Sequence, residues 1–245
     1  MNLIILEPGD VDDRGGVTLS GARAAHLMSV LHVSPGKRVQ VGVLDGPRGI
    51  GDVVEAGDGI VALRCEFEAS APAVPRVDLL LALPRPKVMR RLWAQIAALG
   101  VGRIILTNAE RVERDYFGAH IVSSETYRPL LIEGLQQARD TRLPTVSVHK
   151  RLKVLIEDEL DGMFSEGVRL VADPGASRSV SEAVGSGAPG RVLLAIGPEG
   201  GWNDFERELF AAHRFQAVGM GPRALRTDTA CVALLALARD AMTPR

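Results

Sequence analysis

From residue 77 onward, short unbroken apolar runs alternate with stretches of helical spacing, and this alternation constrains the fold more than any other feature. Residues 77–83 form a nearly continuous apolar run, 88–99 have helical spacing, and Arg103-Ile104-Ile105-Leu106 reads as a short strand. Residues 124–139 then read as helix, 169–172 and 191–196 as buried strands, 204–213 as helix, 215–220 as a short strand and 229–242 as a last helix. A strand without polar alternation must be covered on both faces, and crossover helices on a parallel sheet do that. The expected fold class is therefore α/β.

Residues 1–68 have a different rhythm. Residues 38–43, 51–55 and 60–67 read as short strands broken by Pro35-Gly36, Asp45-Gly46-Pro47 and Gly57-Asp58-Gly59, with one or two helical turns at 22–31. This suggests a small barrel-like β domain. The uncharged, proline-containing stretch 69–75 separates the two patterns, so residues 1–71 and 76–245 are expected to form separate domains. Residues 185–190, Gly-Ser-Gly-Ala-Pro-Gly, read as a loop before a strand.

A hydrophobic share of 46% with 24% charged residues excludes wholesale disorder, and 245 residues can bury a substantial core. Cys65 and Cys231 are too few and too distant for a disulfide framework or a cysteine metal site. The histidines show no ligand spacing, so no metal is expected. The start of the chain lacks a basic n-region, and no stretch supplies the roughly 18 apolar residues of a membrane helix. A cytoplasmic protein is expected.

The formal net charge of -1 hides a segregation. Residues 1–70 carry 6 basic and 10 acidic side chains, residues 84–153 carry 13 and 6, and residues 154–245 carry 9 and 13. Arginine predominates in the basic middle, and its planar fork suits phosphate contacts and stacking on bases. Arg85, Lys87, Arg90, Arg91, Arg111, Arg139 and Arg142 are the candidate RNA contacts. The competing reading of these charges is a solvated helix face.

Two segments carry the chemistry. Leu193-Leu194-Ala195-Ile196 runs into Gly197-Pro198-Glu199-Gly200-Gly201-Trp202, after which Asn203 or Asp204 can cap a helix whose first turn holds Glu206. Further on, Val218 leads into Gly219-Met220-Gly221-Pro222-Arg223-Ala224-Leu225-Arg226-Thr227-Asp228-Thr229-Ala230, where Thr227 or Asp228 can cap the last helix. Glycines behind buried strands let a ligand approach the backbone at the carboxyl edge of an α/β sheet. Gly219-x-Gly221-x-x-Ala224 also fits a loosened dinucleotide fingerprint, which would make the protein an oxidoreductase. The chain ends without the second strand and ribose-binding acid that fingerprint needs. No Gly-Lys-Ser/Thr triplet is present either, so the loops suggest a small, non-phosphorylated, adenosine-like cofactor. A non-catalytic RNA-binding protein is the other reading the basic middle allows.

Together the two glycine segments resemble the paired C-terminal motifs of the small-subunit ribosomal RNA uridine-N3 methyltransferases of the SPOUT class. Leu99-Gly100-Val101 with Arg103-Ile104, Gln136-Gln137-Ala138-Arg139 through Pro144, and Ala25-His26-Leu27 with Val30-Leu31 and Pro35-Gly36 are similar to further segments of that family. The resemblance implies an N-terminal PUA-like barrel that assists RNA binding, a C-terminal domain with a trefoil knot, a homodimer, and ribosomal RNA or the small ribosomal subunit as partner. It implies S-adenosyl-L-methionine as cofactor, held by Leu194, Gly197, Pro198, Glu199, Gly200, Gly201, Met220, Gly221, Leu225, Arg226, Thr229 and Ala230. Catalytic roles fall to Arg226, Arg223 and Glu199. The chain departs from the family at His32, Gln95, Ala98 and Asp140, where Arg, Lys, Glu and Arg are common.

Overall fold

The computed structural model describes residues 3–185 and 190–243, and the chain forms two compact units. The first unit comprises residues 1–74 and 132–143, the second 75–131 and 144–245.

In the first unit, β1 (Ile4–Leu6), β2 (Gly16–Ser20), β3 (Arg38–Val43), β4 (Arg48–Gly57) and β5 (Ile60–Phe67) form a curled sheet in the order β1-β3-β4-β5-β2, with α1 (Gly21–Ser29) between β2 and β3. Only the β1–β3 pairing is parallel. Alternate residues point inward: Val17 and Leu19 of β2, Val39 and Val41 of β3, and Val61 and Leu63 of β5 join Leu6 and Leu27 in one core. Residues 132–143 are fastened to this unit by polar bonds. Thr141 is fully buried; its hydroxyl donates to Gly46 O at 2.6 Å and its carbonyl accepts from Asp45 N at 2.8 Å. Arg142 donates from Nε to Pro72 O at 2.7 Å and from Nη1 to Asp45 O at 2.9 Å. Asp140 Oδ1 accepts the backbone N–H groups of Thr141 and Arg142.

The second unit contains β6 (Val77–Ala82), α2 (Pro86–Ala98), β7 (Val101–Thr107), the first part of α3 (Ser124–Ala138), β8 (Thr145–His149), α4 (Leu152–Val154), α5 (Leu160–Met163), β9 (Val168–Ala172), α6 (Val180–Val184), β10 (Val192–Ile196), α7 (Asp204–Ala212), β11 (Phe215–Val218) and α8 (Thr227–Ala241). Its six strands are all parallel, in the order β11-β9-β10-β6-β7-β8. The central strands β6 and β10 are buried at every residue, as their unbroken apolar runs require. Met89 and Trp93, one helical turn apart on α2, are both fully buried, and Trp93 Nε1 donates to Ile121 O at 3.1 Å.

Asp78, fully buried at the start of β6, accepts from Arg103 on β7 and Arg191 just before β10 at 2.8 and 2.6 Å. The guanidinium of Arg103 lies over the Phe164 ring; that of the buried Arg169 lies over Phe164 and Phe215 and pairs with Asp161. The charges of Arg103 and Arg169 thus hold the amino edge of the sheet together.

Several local expectations change. β1, β2, β8 and the helical segment between β8 and β9 are not among the expected elements; β8 is partly exposed at the sheet edge, and β1 is only three residues long. The last helix starts two residues early: Arg226 is its N-cap, so Thr227 and Asp228 lie inside the first turn rather than capping it. Arg139 leaves α3 in the left-handed conformation at φ 57°. Of the loop expected at 185–190, residues 186–189 lie outside the described residues.

Candidate functional site

The loops that leave the carboxyl ends of β9, β10 and β11 surround a cavity of about 320 Å³. Asp173 and Pro174 line it from the first loop, Gly197, Pro198, Glu199, Gly200, Gly201 and Trp202 from the second, Ala224 and Leu225 from the third, and Thr227 and Ala230 from the first turn of α8 that follows it. A smaller hollow of about 60 Å³ shares Asp173, Pro174, Leu225 and Ala230 with it and adds Met220, Gly221 and Arg223. This is the crevice where open α/β sheets hold ligands.

Local chemistry shapes the second loop. Asn203 caps α7: its side chain accepts from Glu206 N, and the Glu206 carboxylate returns to Asn203 N at 2.8 Å. The other oxygen of Glu206 accepts Glu110 N at 2.8 Å, tying the loop after β7 to the start of α7. Glu206 is 4% exposed and holds both bonds as a buried carboxylate. Beside Glu110, Arg111 donates from Nη1 to Gly200 O. The chain therefore forms a closed brace: Glu206 holds the backbone at Glu110, and Arg111 holds Gly200.

Close approach demands one glycine and crowds another. A Cβ on Gly219 would lie 2.3 Å from Ala176 O, and one on Gly197 would press on the Trp202 indole at 3.2 Å. Trp202 is 3% exposed, packs edge-on against Phe210 at 4.8 Å, and its Nε1 has no acceptor among the described residues. A buried donor without an acceptor marks a place for a ligand or water. Two further bonds fix the rim: Arg85 N donates to Glu199 Oε1 at 3.3 Å, and Arg91 pairs with Asp228 at 2.9 Å. The Arg91 hydrogen bond holds the Asp228 carboxyl below its ordinary range. Burial pushes the thiol of Cys231 up to about 12, so Cys231 supplies no thiolate.

Nine of the predicted site residues line these hollows: Gly197, Pro198, Glu199, Gly200, Gly201, Met220, Gly221, Leu225 and Ala230, with Arg223 as a tenth. Leu194 does not; it lies fully buried in β10 and pairs with Leu79 and Leu170 on its two sides. Arg226 and Thr229 are exposed beside the lining rather than in it.

The predicted RNA contacts separate in the same way. Arg85, Lys87 and Arg90 are exposed around the start of α2. Arg91 is engaged with Asp228, Arg111 lies at the cavity, and Arg142 is spent on backbone carbonyls in the first unit. Arg139 borders a separate concavity in the first unit with Arg48, Ile50 and Phe67. Among the described residues no group of three or more His, Cys, Asp or Glu could hold a metal ion, and no helix is long and apolar enough to cross a membrane.

The RNA methyltransferase domain model matches residues 71–239. Over 97% of its length the chain is 32% identical to the ribosomal RNA small subunit methyltransferase E of Treponema pallidum, covering 90% of that protein. The chain belongs to the ribosomal RNA small subunit methyltransferase E family. A further methyltransferase E, from Borreliella burgdorferi, is 24% identical over 95% of both chains. The methyltransferase E of Neisseria gonorrhoeae, solved bound to S-adenosyl methionine, has the same fold: TM-score 0.80, 21% identity, 98% of this chain and 97% of that one. Within the methyltransferase E chain described above, Glu206 is the site residue whose importance the sequence hid, because its partner Glu110 lies 96 residues upstream.

Proposed function

We propose that the protein transfers a methyl group from S-adenosyl-L-methionine to N3 of a uridine in small-subunit (16S) ribosomal RNA. The observation that carries this reading is the cavity behind β9, β10 and β11, where glycine-bearing loops and the unpartnered Trp202 Nε1 fit an adenosine-like ligand. Membership of the methyltransferase E family supplies the reaction and the RNA class.

The residues of the two loops fit the cofactor: the backbone of 197–201 and of 220–225 can hold its adenosine and methionine parts. When bound, S-adenosyl-L-methionine supplies an electrophilic methyl on a sulfonium. The protein's share is to hold the base in line with that methyl and to exclude competing orientations. N3 lies on the Watson-Crick edge, so the uridine must be unpaired or turned out of its helix before it enters. Its imide proton must leave, and Glu199, exposed on the cavity rim, accepts it or the hydrogen bond that precedes its loss. Arg223 and Arg226, flanking Leu225, favour the uridine anion electrostatically.

Exposed Arg85, Lys87 and Arg90 are the RNA contacts best placed for this reading. Residues 1–71, joined by 132–143 in the same compact unit, act as a PUA-like accessory RNA-binding barrel, and the rest of 76–245 as the catalytic domain, knotted at its C-terminal end. In favour of the knot, α8 follows the edge strand β11 yet packs on the inner strands β10 and β6 and on α2. The enzyme works in the cytoplasm as a homodimer, the partner covering apolar Met220 and Leu225, which are 37% and 44% exposed beside the cavity.

Mass-spectrometric mapping of 16S ribosomal RNA with and without the gene tests the assignment. One 3-methyluridine should disappear on deletion, return with the wild-type gene, and stay absent with Arg226→Ala, which should still bind the cofactor. An unchanged modification map refutes the substrate, and full complementation by Arg226→Ala removes Arg226 from the mechanism.

A further inference from the structure

A second concavity, of about 500 Å³, opens at the same edge of the parallel sheet, and nothing in the proposed methyl transfer uses it. Its volume is within the range of ligand clefts. It shares a wall with the cofactor cavity: along the loop after β7, Glu110 and Val112 line one hollow while Arg111 lines the other, and Trp202 and Asn203 divide in the same manner.

Four cations surround this concavity, Arg114, Lys150, Arg151 and Lys153. Only Lys153 has an ion partner among the described residues, a loose 3.8 Å approach to Glu157. Glu110 and Glu206 also line the hollow, leaving four cations against two acidic side chains, a positive balance. Phe205, at the start of α7, is 56% exposed at the rim and presents an aromatic ring to the hollow's mouth, the kind of platform on which a base stacks. Asn108 Oδ1 is buried in the lining with no donor among the described residues.

Resting on the reading of the protein as an RNA methyltransferase, we propose that this concavity seats a second nucleotide of the RNA strand, next to but distinct from the one methylated. Its phosphates meet Lys150, Arg151, Arg114 and Lys153, its base stacks on Phe205, and an N–H on the base edge donates to Asn108 Oδ1. Cations combined with an exposed aromatic and a buried acceptor are the elements that bind an unstacked nucleotide. An acidic peptide would use the cations but has no flat face for Phe205. The shared wall gives the subsite its purpose: engaging the neighbouring nucleotide holds the strand open and sets which uridine faces the methyl group.

The test uses the full-length protein and a short single-stranded RNA carrying the small-subunit sequence around the mapped uridine, with fluorescence anisotropy and methyl-transfer kinetics. Lys150→Ala/Arg151→Ala should weaken RNA binding about tenfold and flatten the salt dependence by about 1.4, from roughly 0.7 per phosphate contact on single strands. Phe205→Ala should weaken binding by a similar factor and Phe205→Tyr should restore it, since stacking needs a ring and not a hydroxyl. In each variant KM for RNA should rise while kcat at saturating RNA and the calorimetric affinity for S-adenosyl-L-methionine stay within about twofold of wild type. Unchanged RNA affinity and salt slope in the double variant overturns the subsite and leaves the methyltransferase reading intact. So does a poly-glutamate peptide that binds wild type as tightly as the RNA does and is weakened by the same changes. RNA binding that falls as described in a protein that transfers no methyl group supports the subsite and refutes the enzymatic reading.

Discussion

The two edges of the parallel sheet use the same kinds of side chain to opposite ends. At the amino edge Asp78, Arg103, Arg191, Arg169 and Asp161 answer one another, and Phe164 and Phe215 cover the remaining guanidinium faces. At the carboxyl edge, among the described residues, Arg114, Lys150 and Arg151 have no counterion, and Trp202 Nε1 and Asn108 Oδ1, the buried side-chain polar atoms without a partner, both lie there. Folded chains rarely leave buried polar groups unmatched, so the unmatched edge is the one arranged for a ligand. Charge count alone does not separate the edges; the fate of each charge does.

The largest effect expected from this contrast is at the closed edge. Asp78→Ala strands two guanidinium groups against the sheet and should cost about 3–5 kcal/mol in denaturant unfolding, while the folded fraction keeps its cofactor affinity. A loss below about 1 kcal/mol would mean that the amino edge is no more committed to stability than an exposed ion pair. Next comes the brace at the open edge. Glu206→Ala leaves Asn203 N and Glu110 N without acceptors and should cost about 1–3 kcal/mol. It should also weaken cofactor binding, because Arg111 then loses its fixed place against Gly200; calorimetry showing undiminished affinity would detach the brace from the site.

The smallest effect belongs to the Arg91–Asp228 pair, exposed enough that Asp228→Asn should cost at most about 1 kcal/mol at neutral pH. Its pH dependence fixes the sign. Because Arg91 holds the folded carboxyl below the ordinary 3.8, the contribution is complete above that value and is lost as the pH falls through the lowered one. Wild type and variant should therefore differ in thermal melts at pH 7 and converge in strong acid. A gap that persists there would assign the effect to packing instead.

Much of the second unit was legible because its central strands are apolar without interruption, a pattern that burial on both faces imposes. The alternating strands 38–43 and 60–67 were legible for the complementary reason, one face in and one face out. β8 was not: Thr145-Val146-Ser147-Val148-His149 does alternate, but the run is only five residues long and, at the edge of the sheet, none of it is fully buried. The glycine loops announced a ligand edge, but the sequence could not say which arginines were free: Arg91, Arg103 and Arg142 look alike in a charge count, and only tertiary neighbours spend them. Glu206 reads as an ordinary first-turn acid until the Glu110 amide arrives from far upstream.

The assignment of residues 132–143 to the first unit bears on how the chain is made. Synthesis delivers β1 to β5 early, yet Thr141 and Arg142, which occupy Gly46, Asp45 and Pro72, emerge only after β6 and β7, two of the six strands of the second unit's sheet, have been translated. The N-terminal unit therefore cannot reach its finished form while its own residues are the only ones outside the ribosome. It must wait, incomplete, for a segment that arrives in the middle of its neighbour's synthesis, and a cut at the 74/75 junction separates it from that segment for good.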